Sequence, residues 1–465
     1  MRIVGLFLAA TCVSAQSIGS RIDQILLRSP AAQQAFWGIR IVNLETGATV
    51  YSKNQDHFFI PASNTKLFST ALALTRLGPD HRFRTSITAP ALPDEQGRVG
   101  SLRFVGGGDP NLSGRAIPYE YNAPRENPLR HVEMFAQKLF EKGLRFVDGD
   151  IIGDDSAYAH EPYPEGWALD DPTYEYGAPV SSLFLNDGMF RLVLRPAEFG
   201  VPPQIECTPV VDGMVIHNLA VTGAETKLTY TRLPGTSELT IAGAIAKEQE
   251  ALLGVEQPAL IAAQALRDEL LKRGVRISGT ARVEHFPAPG VALLTYDSHP
   301  LIEDLRIINK DSQNLHAEIV LLEVSRARLG VGSREASLIE MKEFLKEIGI
   351  ADRQYNLLDG SGLSRQTLLT PMTIIKLLLY MYGTKHRDDW ISTLPVGGKD
   401  GTLAKRFARA ASAAKVRAKT GSISHVNALS GYAGKYAFSI LVNNSNLQAG
   451  PVRRVMDQIA LTLAK

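Results

Sequence analysis

Three short motifs stand in one order along this chain, and the long gap between the first two constrains the fold most. The motifs are Ser63-Asn64-Thr65-Lys66, Ser312-Gln313-Asn314 and Lys419-Thr420-Gly421. Each motif alone is weak evidence, because short patterns arise by chance in a long chain, but three in this order are specific. Ser312 follows Ser63 by 249 positions. A fold that gathers the motifs at one site must therefore accommodate a large insertion between the first two.

The first motif supplies a nucleophile and a base. Ser63 and Lys66 are three residues apart, so they share one face of the helix predicted over 63–77. A serine hydroxyl is a poor nucleophile until a base takes its proton. Lysine can act as that base only when burial or a nearby cation lowers its pKa, and Lys419 is the candidate cation. Ser63 is expected in the first helical turn, where free N–H groups favour negative charge.

The second and third motifs add a proton relay and a site for an anion. Ser312 and Asn314 follow a predicted helix break. There the hydroxyl can pass a proton to the leaving group, and the amide can hold the substrate backbone. At the predicted end of a strand, Lys419 stands beside the hydroxyl groups of Thr420 and Ser422, a combination that suits a carboxylate.

The backbone of the third motif has its own predicted role. Gly421 lacks a side chain where a ligand can lie along the strand edge. The N–H groups of Ser63 and Ser422 are predicted to form an oxyanion hole. The motifs together indicate an acyl-transferring serine enzyme that uses lysine instead of histidine. A Ser-His-Asp hydrolase is disfavoured because the chain contains no G-x-S-x-G sequence.

The three motifs are shared by penicillin-binding proteins and class A β-lactamases. Four further segments extend the similarity: Pro61-Ala62-Ser63, Gly149-Asp150-Ile151-Ile152-Gly153-Asp154-Asp155-Ser156, Asp359-Gly360-Ser361-Gly362-Leu363-Ser364-Arg365 and Asp400-Gly401-Thr402-Leu403. With the long first gap, which compact β-lactamases lack, the chain resembles the class C low-molecular-mass penicillin-binding proteins. These are D-alanyl-D-alanine carboxypeptidases/endopeptidases of peptidase family S13.

The resemblance implies cleavage of the terminal D-Ala-D-Ala bond, or of D-Ala-to-diamino-acid cross-links, in peptidoglycan. Ser63 would form the acyl-enzyme, Lys66 would act as base and water would complete the reaction. Lys419, Thr420 and Ser422 would bind the substrate carboxylate. β-Lactams are expected to acylate Ser63 and to leave slowly.

The same resemblance implies a second contact with the substrate. Arg365 and one of Asp154 or Asp155 are expected to bind the charged end of the cross-linking diamino acid. A zwitterion needs one group of each sign, and an arginine and an aspartate meet that requirement. We expect no cofactor and no metal, since the sequence contains no CxxC, HExxH or histidine cluster.

The implied fold is α/β (α+β): a serine β-lactamase/DD-peptidase-like domain, with an antiparallel sheet flanked by helices. This discontinuous domain is expected over residues 16–82 and 297–465. The β-rich stretch 83–296, interrupted by a helix over 259–273, is expected to form two small nested domains. Alternating strands at 415–419, 428–433 and 436–443 are expected to be neighbours, and the helix over 451–464 is expected to pack on them.

The N-terminus predicts export to the periplasm or cell envelope. Arg2 precedes an apolar run over 3–13, and Val13-Ser14-Ala15 offers a cleavage site, so residues 1–15 are predicted to be a signal peptide. The run is too short to span a bilayer. A lipoprotein signal at Cys12 is less favoured because Thr11 fits poorly. After cleavage Cys207 alone remains, so no intrachain disulfide can form.

Two other functions stay open. A β-lactamase or esterase would use the same acyl-enzyme, but it needs a water-activating group that the sequence does not identify. A non-catalytic peptidoglycan-binding scaffold is the other, although the intact motifs argue against it. Nucleic acid is excluded as a partner because the net charge is only +2 and no basic stripe is present. The sequence leaves the oligomeric state open.

Overall fold

A five-stranded antiparallel sheet joins the two ends of the chain in the computed structural model, which describes residues 17–211, 213–407 and 410–465. The strands, in spatial order, are Val416–Ile423, Val426–Ala433, Tyr436–Asn443, Phe36–Asn43 and Thr49–Lys53. The three C-terminal strands are neighbours, as predicted. The predicted signal peptide at residues 1–15 lies outside the described residues. Among those described, no helix is long and apolar enough to cross a bilayer.

Helices cover both faces of this sheet because successive strand residues point to opposite sides. Ala428 belongs to the core on one face, and Leu429 belongs to the core on the other. The first core contains the helices Lys66–Leu77, Leu301–Lys310, Asn314–Leu329, Arg334–Glu347, Pro371–Gly383 and Arg387–Thr393. The second contains the helices Ile18–Arg28, Pro30–Gln33 and Ala449–Leu463. The predicted packing of the closing helix on the sheet and the antiparallel sheet flanked by helices are confirmed.

One predicted helix differs in detail. The helix expected over 63–77 starts with the 3₁₀ turn Ala62–Thr65, and the α-helix follows as Lys66–Leu77. The predicted helix break separates Leu301–Lys310 from Asn314–Leu329, and Ser312 between them has a φ of 65°, in the left-handed region. The remaining 3₁₀ turns are Asp171–Thr173, Glu175–Gly177, Asn186–Gly188, Asp352–Gln354, Gly401–Leu403 and Ala413–Lys415.

The region predicted as an insertion contains a five-stranded mixed sheet. Its strands, in spatial order, are Ala281–Glu284, Ile151–Asp154, Leu102–Val105, Arg84–Ala89 and Val291–Asp297. Arg84–Ala89 pairs antiparallel with Val291–Asp297, so the entry and exit of this region lie side by side. Helices Arg130–Glu141 and Pro258–Lys272 cover the sheet. The first of these was not predicted, although its buried Val132, Phe135, Ala136 and Leu139 follow helical spacing.

A second, smaller core lies within the same region. It is formed by two three-stranded sheets: Gln249–Gly254, Met189–Arg195 and Gln204–Thr208, and Val215–Thr222, Glu238–Ile245 and Lys227–Thr231. Short pairings complete the described strands: Phe146–Val147 lies between Arg276–Ile277 and Arg98–Val99 and pairs with both, and Tyr355–Asn356 pairs with Leu368–Leu369. Cys207 is a half-buried free thiol. The domain boundaries at 82/83 and 296/297, and the division of 83–296 into two domains, stay predictions.

Candidate active site

Ser63 lies in the 3₁₀ turn that precedes the first buried helix, and it is half-buried at the wall of a pocket. Gly421, on the edge strand Val416–Ile423, lies against this turn. A Cβ at Gly421 would approach the Pro61 carbonyl oxygen to 2.8 Å and the Ser63 nitrogen to 3.1 Å. Glycine is therefore needed here because the edge strand packs closely against the turn that contains Ser63. This is a second reason for glycine, besides the predicted approach of a ligand.

Lys66 is fully buried, and its Nζ is surrounded by three oxygen atoms. It donates to Asn314 Oδ1 at 2.5 Å and to the Ser361 carbonyl at 2.7 Å, and it lies 2.9 Å from Ser63 Oγ. Burial lowers the pKa of Lys66 to about 7, against the opposing effect of Asp359 and Glu318. A neutral amine has two N–H bonds and one lone pair. With both N–H groups engaged by Asn314 and Ser361, the lone pair faces the Ser63 hydroxyl.

Lys419 and Ser312 form the second half of the site. The fully buried Lys419 Nζ donates to Ser312 Oγ at 2.8 Å and to the Thr420 carbonyl at 2.9 Å. Burial lowers the pKa of Lys419 most, and repulsion from Lys66 lowers it further. From the sequence, the charge of Lys419 is expected to favour a neutral Lys66. In the structure burial is the main cause for both amines, and their repulsion disfavours a state in which both are charged.

The side chain of Asn314 is engaged at both ends. Oδ1 accepts from Lys66, and Nδ2 donates to the Tyr176 carbonyl at 2.8 Å. Asn314 thus links Lys66 to the loop that contains Tyr176. The predicted contact of its amide with a substrate backbone stays a prediction.

Glu318 holds the backbone that contacts Lys66, and sequence reasoning missed it. This fully buried carboxylate accepts from the N–H groups of Gly360 and Ser361, at 3.0 and 2.8 Å, and from Arg334 Nη1 at 2.8 Å. These bonds orient the Ser361 carbonyl towards Lys66. The segment that contains Gly360 and Ser361 is among those that carry the family resemblance. Glu318 lies on the helix Asn314–Leu329 and belongs to none of these segments.

Replacing Glu318 by glutamine is expected to destabilise the protein by about 3–5 kcal/mol, because buried Arg334 loses its partner at 2.8 Å and keeps only the half-exposed Glu161 at 3.8 Å. The measurement is the urea concentration at the unfolding midpoint. Glu335→Gln is the control, since Glu335 is exposed on the same helix as Arg334, and its effect should stay within about 0.5 kcal/mol. Equal midpoints for the two variants would show that the buried pair does not stabilise this loop.

The third motif lies inside the edge strand rather than at its end, because the strand continues to Ile423. Ala418 donates its N–H away from the sheet, to the Pro395 carbonyl at 3.1 Å. The backbone N–H and C=O groups of successive residues in a strand point to opposite sides of that strand. Thr420 and Ser422 therefore present theirs on the same side as Ala418. The Ser422 N–H therefore points off the edge of the sheet, and Ser422 and Ser63 line the same pocket. The oxyanion hole predicted from their N–H groups stays a prediction.

The pocket has a volume of about 350 Å³, and five of the predicted residues line it. Its lining includes Ser63, Ser312, Asn314, Ser422 and Arg365. The hydroxyls of the third motif are held in place, since Thr420 donates to Thr402 Oγ1 at 2.8 Å and Arg453 donates to Ser422 Oγ at 3.0 Å. Arg453, from the closing helix, adds a cation that sequence reasoning missed.

The predicted role of Asp154 and Asp155 at this pocket is not supported, because neither residue lines it. Asp154 pairs with Arg103 at 2.7 Å, and Asp155 accepts from His285 at 2.7 Å, both in the inserted region. Asp171 lies at the pocket instead, with its Oδ2 3.9 Å from Arg365 Nη1. Asp171 belongs to one of many acidic loops in the chain, so no sequence signal distinguished it.

Comparisons with known proteins agree with this geometry. A sequence profile of the D-Ala-D-Ala carboxypeptidase 3 (S13) family matches residues 18–465. The D-alanyl-D-alanine carboxypeptidase of Actinomadura sp. (strain R39) is 32% identical over 488 residues, covering 98% of this chain and 88% of that protein. The penicillin-sensitive carboxypeptidase A of Dictyostelium discoideum is 27% identical, with coverages of 90% and 84%. The crystal structure of penicillin binding protein 4 from Haemophilus influenzae has the same fold, with a TM-score of 0.84 at 22% identity over 96% of this chain and 99% of that one.

Proposed function

The chain belongs to the D-Ala-D-Ala carboxypeptidase 3 (S13) family, and from this premise we propose that it is a serine DD-peptidase that acts on peptidoglycan through an acyl-enzyme on Ser63. One observation carries the proposal: the buried amine of Lys66 lies 2.9 Å from Ser63 Oγ, and burial lowers its pKa to about 7. A lysine with this pKa is a base at neutral pH.

The reaction begins when Lys66 Nζ takes the Ser63 proton as Oγ attacks the carbonyl carbon of the penultimate D-alanine. The carbonyl oxygen becomes an oxyanion, which the N–H groups of Ser63 and Ser422 stabilise. When the tetrahedral intermediate collapses, the C–N bond breaks and the leaving amine needs a proton. Ser312 Oγ supplies it and is reprotonated from Lys419, which lies at 2.8 Å. Water then cleaves the Ser63 ester by the reverse set of proton transfers.

The edge strand offers a site for the carboxylate of the departing residue. An extended peptide can lie along Val416–Ile423 as an added strand. The hydroxyls of Thr420 and Ser422, with the nearby guanidinium of Arg453, provide donors for that carboxylate. Terminal D-alanine in a stem peptide carries such a carboxylate, and so does the diamino acid of a cross-link.

Arg365 and Asp171 form the part of the pocket that would bind a charged side chain of the substrate. One is cationic and the other anionic, and 3.9 Å separates their nearest charged atoms. The amino and carboxylate groups of a diamino acid are the matching zwitterion. Asp171 thus takes the role that the sequence argument assigned to Asp154 or Asp155.

Replacing Arg365 by glutamine is expected to lower kcat/KM about 10- to 100-fold for a peptide whose side chain ends in this zwitterion, because one charge-assisted hydrogen bond is lost. A peptide with an uncharged side chain should be cleaved as by the unchanged protein. Arg353→Gln is the matched control, as Arg353 is exposed elsewhere on the surface. An equal loss for both peptides would contradict the assigned role.

Incubation with defined muropeptides tests the function as a whole. Release of D-alanine from pentapeptides supports carboxypeptidase activity, and conversion of cross-linked dimers to monomers supports endopeptidase activity. If neither product forms, the proposal fails. Added penicillin separates the alternatives: a stoichiometric, long-lived adduct favours the peptidase, and rapid multiple turnover favours a β-lactamase. Because peptidoglycan lies outside the cytoplasm, the proposal includes export to the periplasm or cell envelope.

A further inference from the structure

Two histidines and an aspartate meet in the inserted region, apart from the pocket of Ser63. They are Asp155, His160 and His285, and one potential ligand atom from each lies within 4.8 Å of the others. Asp155 and His285 directly follow the strands Ile151–Asp154 and Ala281–Glu284, which pair in parallel with Asp154 opposite Glu284. Parallel neighbours end at the same edge of a sheet, so the fold places these two residues side by side.

His160 reaches the cluster from a loop that is fastened on both sides. Ala159 donates its N–H to the Gly332 carbonyl at 2.7 Å, and Val180 donates to the Pro162 carbonyl at 2.8 Å. The His160 and His285 rings lie with their centroids 3.9 Å apart at an interplanar angle of 38°. Both rings direct Nδ1 towards the Asp155 carboxylate, at 4.0 Å for His160 and 2.7 Å for His285.

The carboxylate that both rings face is itself oriented by the protein. Asp155 is 6% exposed, and its Oδ2 accepts a hydrogen bond from Ser181 Oγ at 3.1 Å. A hydrogen-bonded carboxylate of this kind is typical of metal ligands, since a second partner fixes the direction of the free lone pairs. The three side chains line a cleft of about 340 Å³, which leaves room for an ion and its remaining water.

The donor set selects the class of ion. Two imidazole nitrogens and one carboxylate oxygen suit Zn²⁺ and its transition-metal neighbours, whereas Ca²⁺ and Mg²⁺ prefer oxygen ligands alone. Ligands of a tetrahedral Zn²⁺ lie about 3.3 Å apart, so the three side chains need only small rotations to close on an ion.

We propose that Asp155, His160 and His285 form a binding site for a divalent transition-metal ion, Zn²⁺ by its donor set, with water as the fourth ligand. The ion joins the end of the parallel strand pair to the loop that contains His160. The same loop continues to Asp171 and Tyr176 at the Ser63 pocket. The site is structural, and none of its ligands takes part in acyl transfer.

Calorimetric titration of the full mature protein, prepared without a polyhistidine tag, tests this site. At pH 8, where free imidazoles are neutral, Zn²⁺ is expected to bind with one ion per chain and Mg²⁺ is expected to give no binding. His160→Gln and His285→Gln should each weaken Zn²⁺ binding at least about tenfold, the minimum expected when a ligand is lost. His217→Gln is the matched control, because His217 is half-exposed in the same region, on the strand Val215–Thr222.

Two further measurements keep the test independent of folding and of the proposed function. Acylation of Ser63 by a labelled β-lactam should be unchanged in both histidine variants, which shows that they fold. Anomalous diffraction at the zinc edge should place the ion between the three side chains. The proposal is overturned if Zn²⁺ does not bind, if both histidine variants bind it as tightly as His217→Gln, or if the ion lies elsewhere. None of these outcomes would affect the peptidase activity assigned to Ser63.

Discussion

Replacing Ser63 by alanine is expected to abolish covalent labelling by β-lactams and to reduce peptide cleavage roughly 10⁶-fold, the scale on which loss of a nucleophile acts in other serine hydrolases. The Ser63 hydroxyl lies beside the amine proposed as its base, since Lys66 Nζ is 2.9 Å from its oxygen. Ser312, whose Oγ accepts a hydrogen bond from Lys419, is proposed as the relay and should not be labelled.

Labelled penicillin and intact mass spectrometry measure this effect, with peptide mapping to locate the adduct. Ser237→Ala is the control, as Ser237 is exposed in the inserted region, and it should label fully. An adduct on another residue, or undiminished cleavage by the Ser63 variant, would remove the assignment of the nucleophile.

The acylation rate of the unchanged protein is expected to rise with pH through about 7 and then to level off, and Lys66→Met is expected to lower it roughly 10²- to 10⁴-fold. The sign follows from the role of the amine. Below its pKa of about 7 Lys66 is protonated and cannot accept the Ser63 proton, and above that value the lone pair is free. Methionine fills a similar volume without a base, so the rise centred near pH 7 should disappear.

Single-turnover acylation by a chromogenic β-lactam, measured across pH, checks this prediction. Lys435→Met is the control, since Lys435 is exposed and distant from the pocket in the turn before Tyr436–Asn443. A rise centred near the ordinary pKa of lysine, about 10.4, would contradict a base whose pKa is lowered by burial. A Lys66→Met profile that keeps the rise near pH 7 would assign that titration to another group.

Local patterns were sufficient for much of the fold. Alternating residues predicted that the three C-terminal strands are neighbours, and the apolar stripe of Ala449–Leu463 predicted that this helix packs on them. The helix Arg130–Glu141 was missed even though its apolar spacing is regular. The left-handed φ of Ser312 was not foreseen either, because a non-glycine residue adopts it only when the surrounding structure holds it there.

The sequence by itself determined the chemistry: Ser63 with Lys66, Ser312 with Asn314, and Lys419 with its glycine are local motifs whose residue types already imply acyl transfer. Only the tertiary structure decided what surrounds them. Burial of the Lys66 amine, the hold of Glu318 on the Ser361 carbonyl, and the presence of Asp171 rather than Asp154 or Asp155 beside Arg365 all depend on contacts between distant segments. Burial and charge pairing depend on positions in space, and spacing along the chain does not encode them.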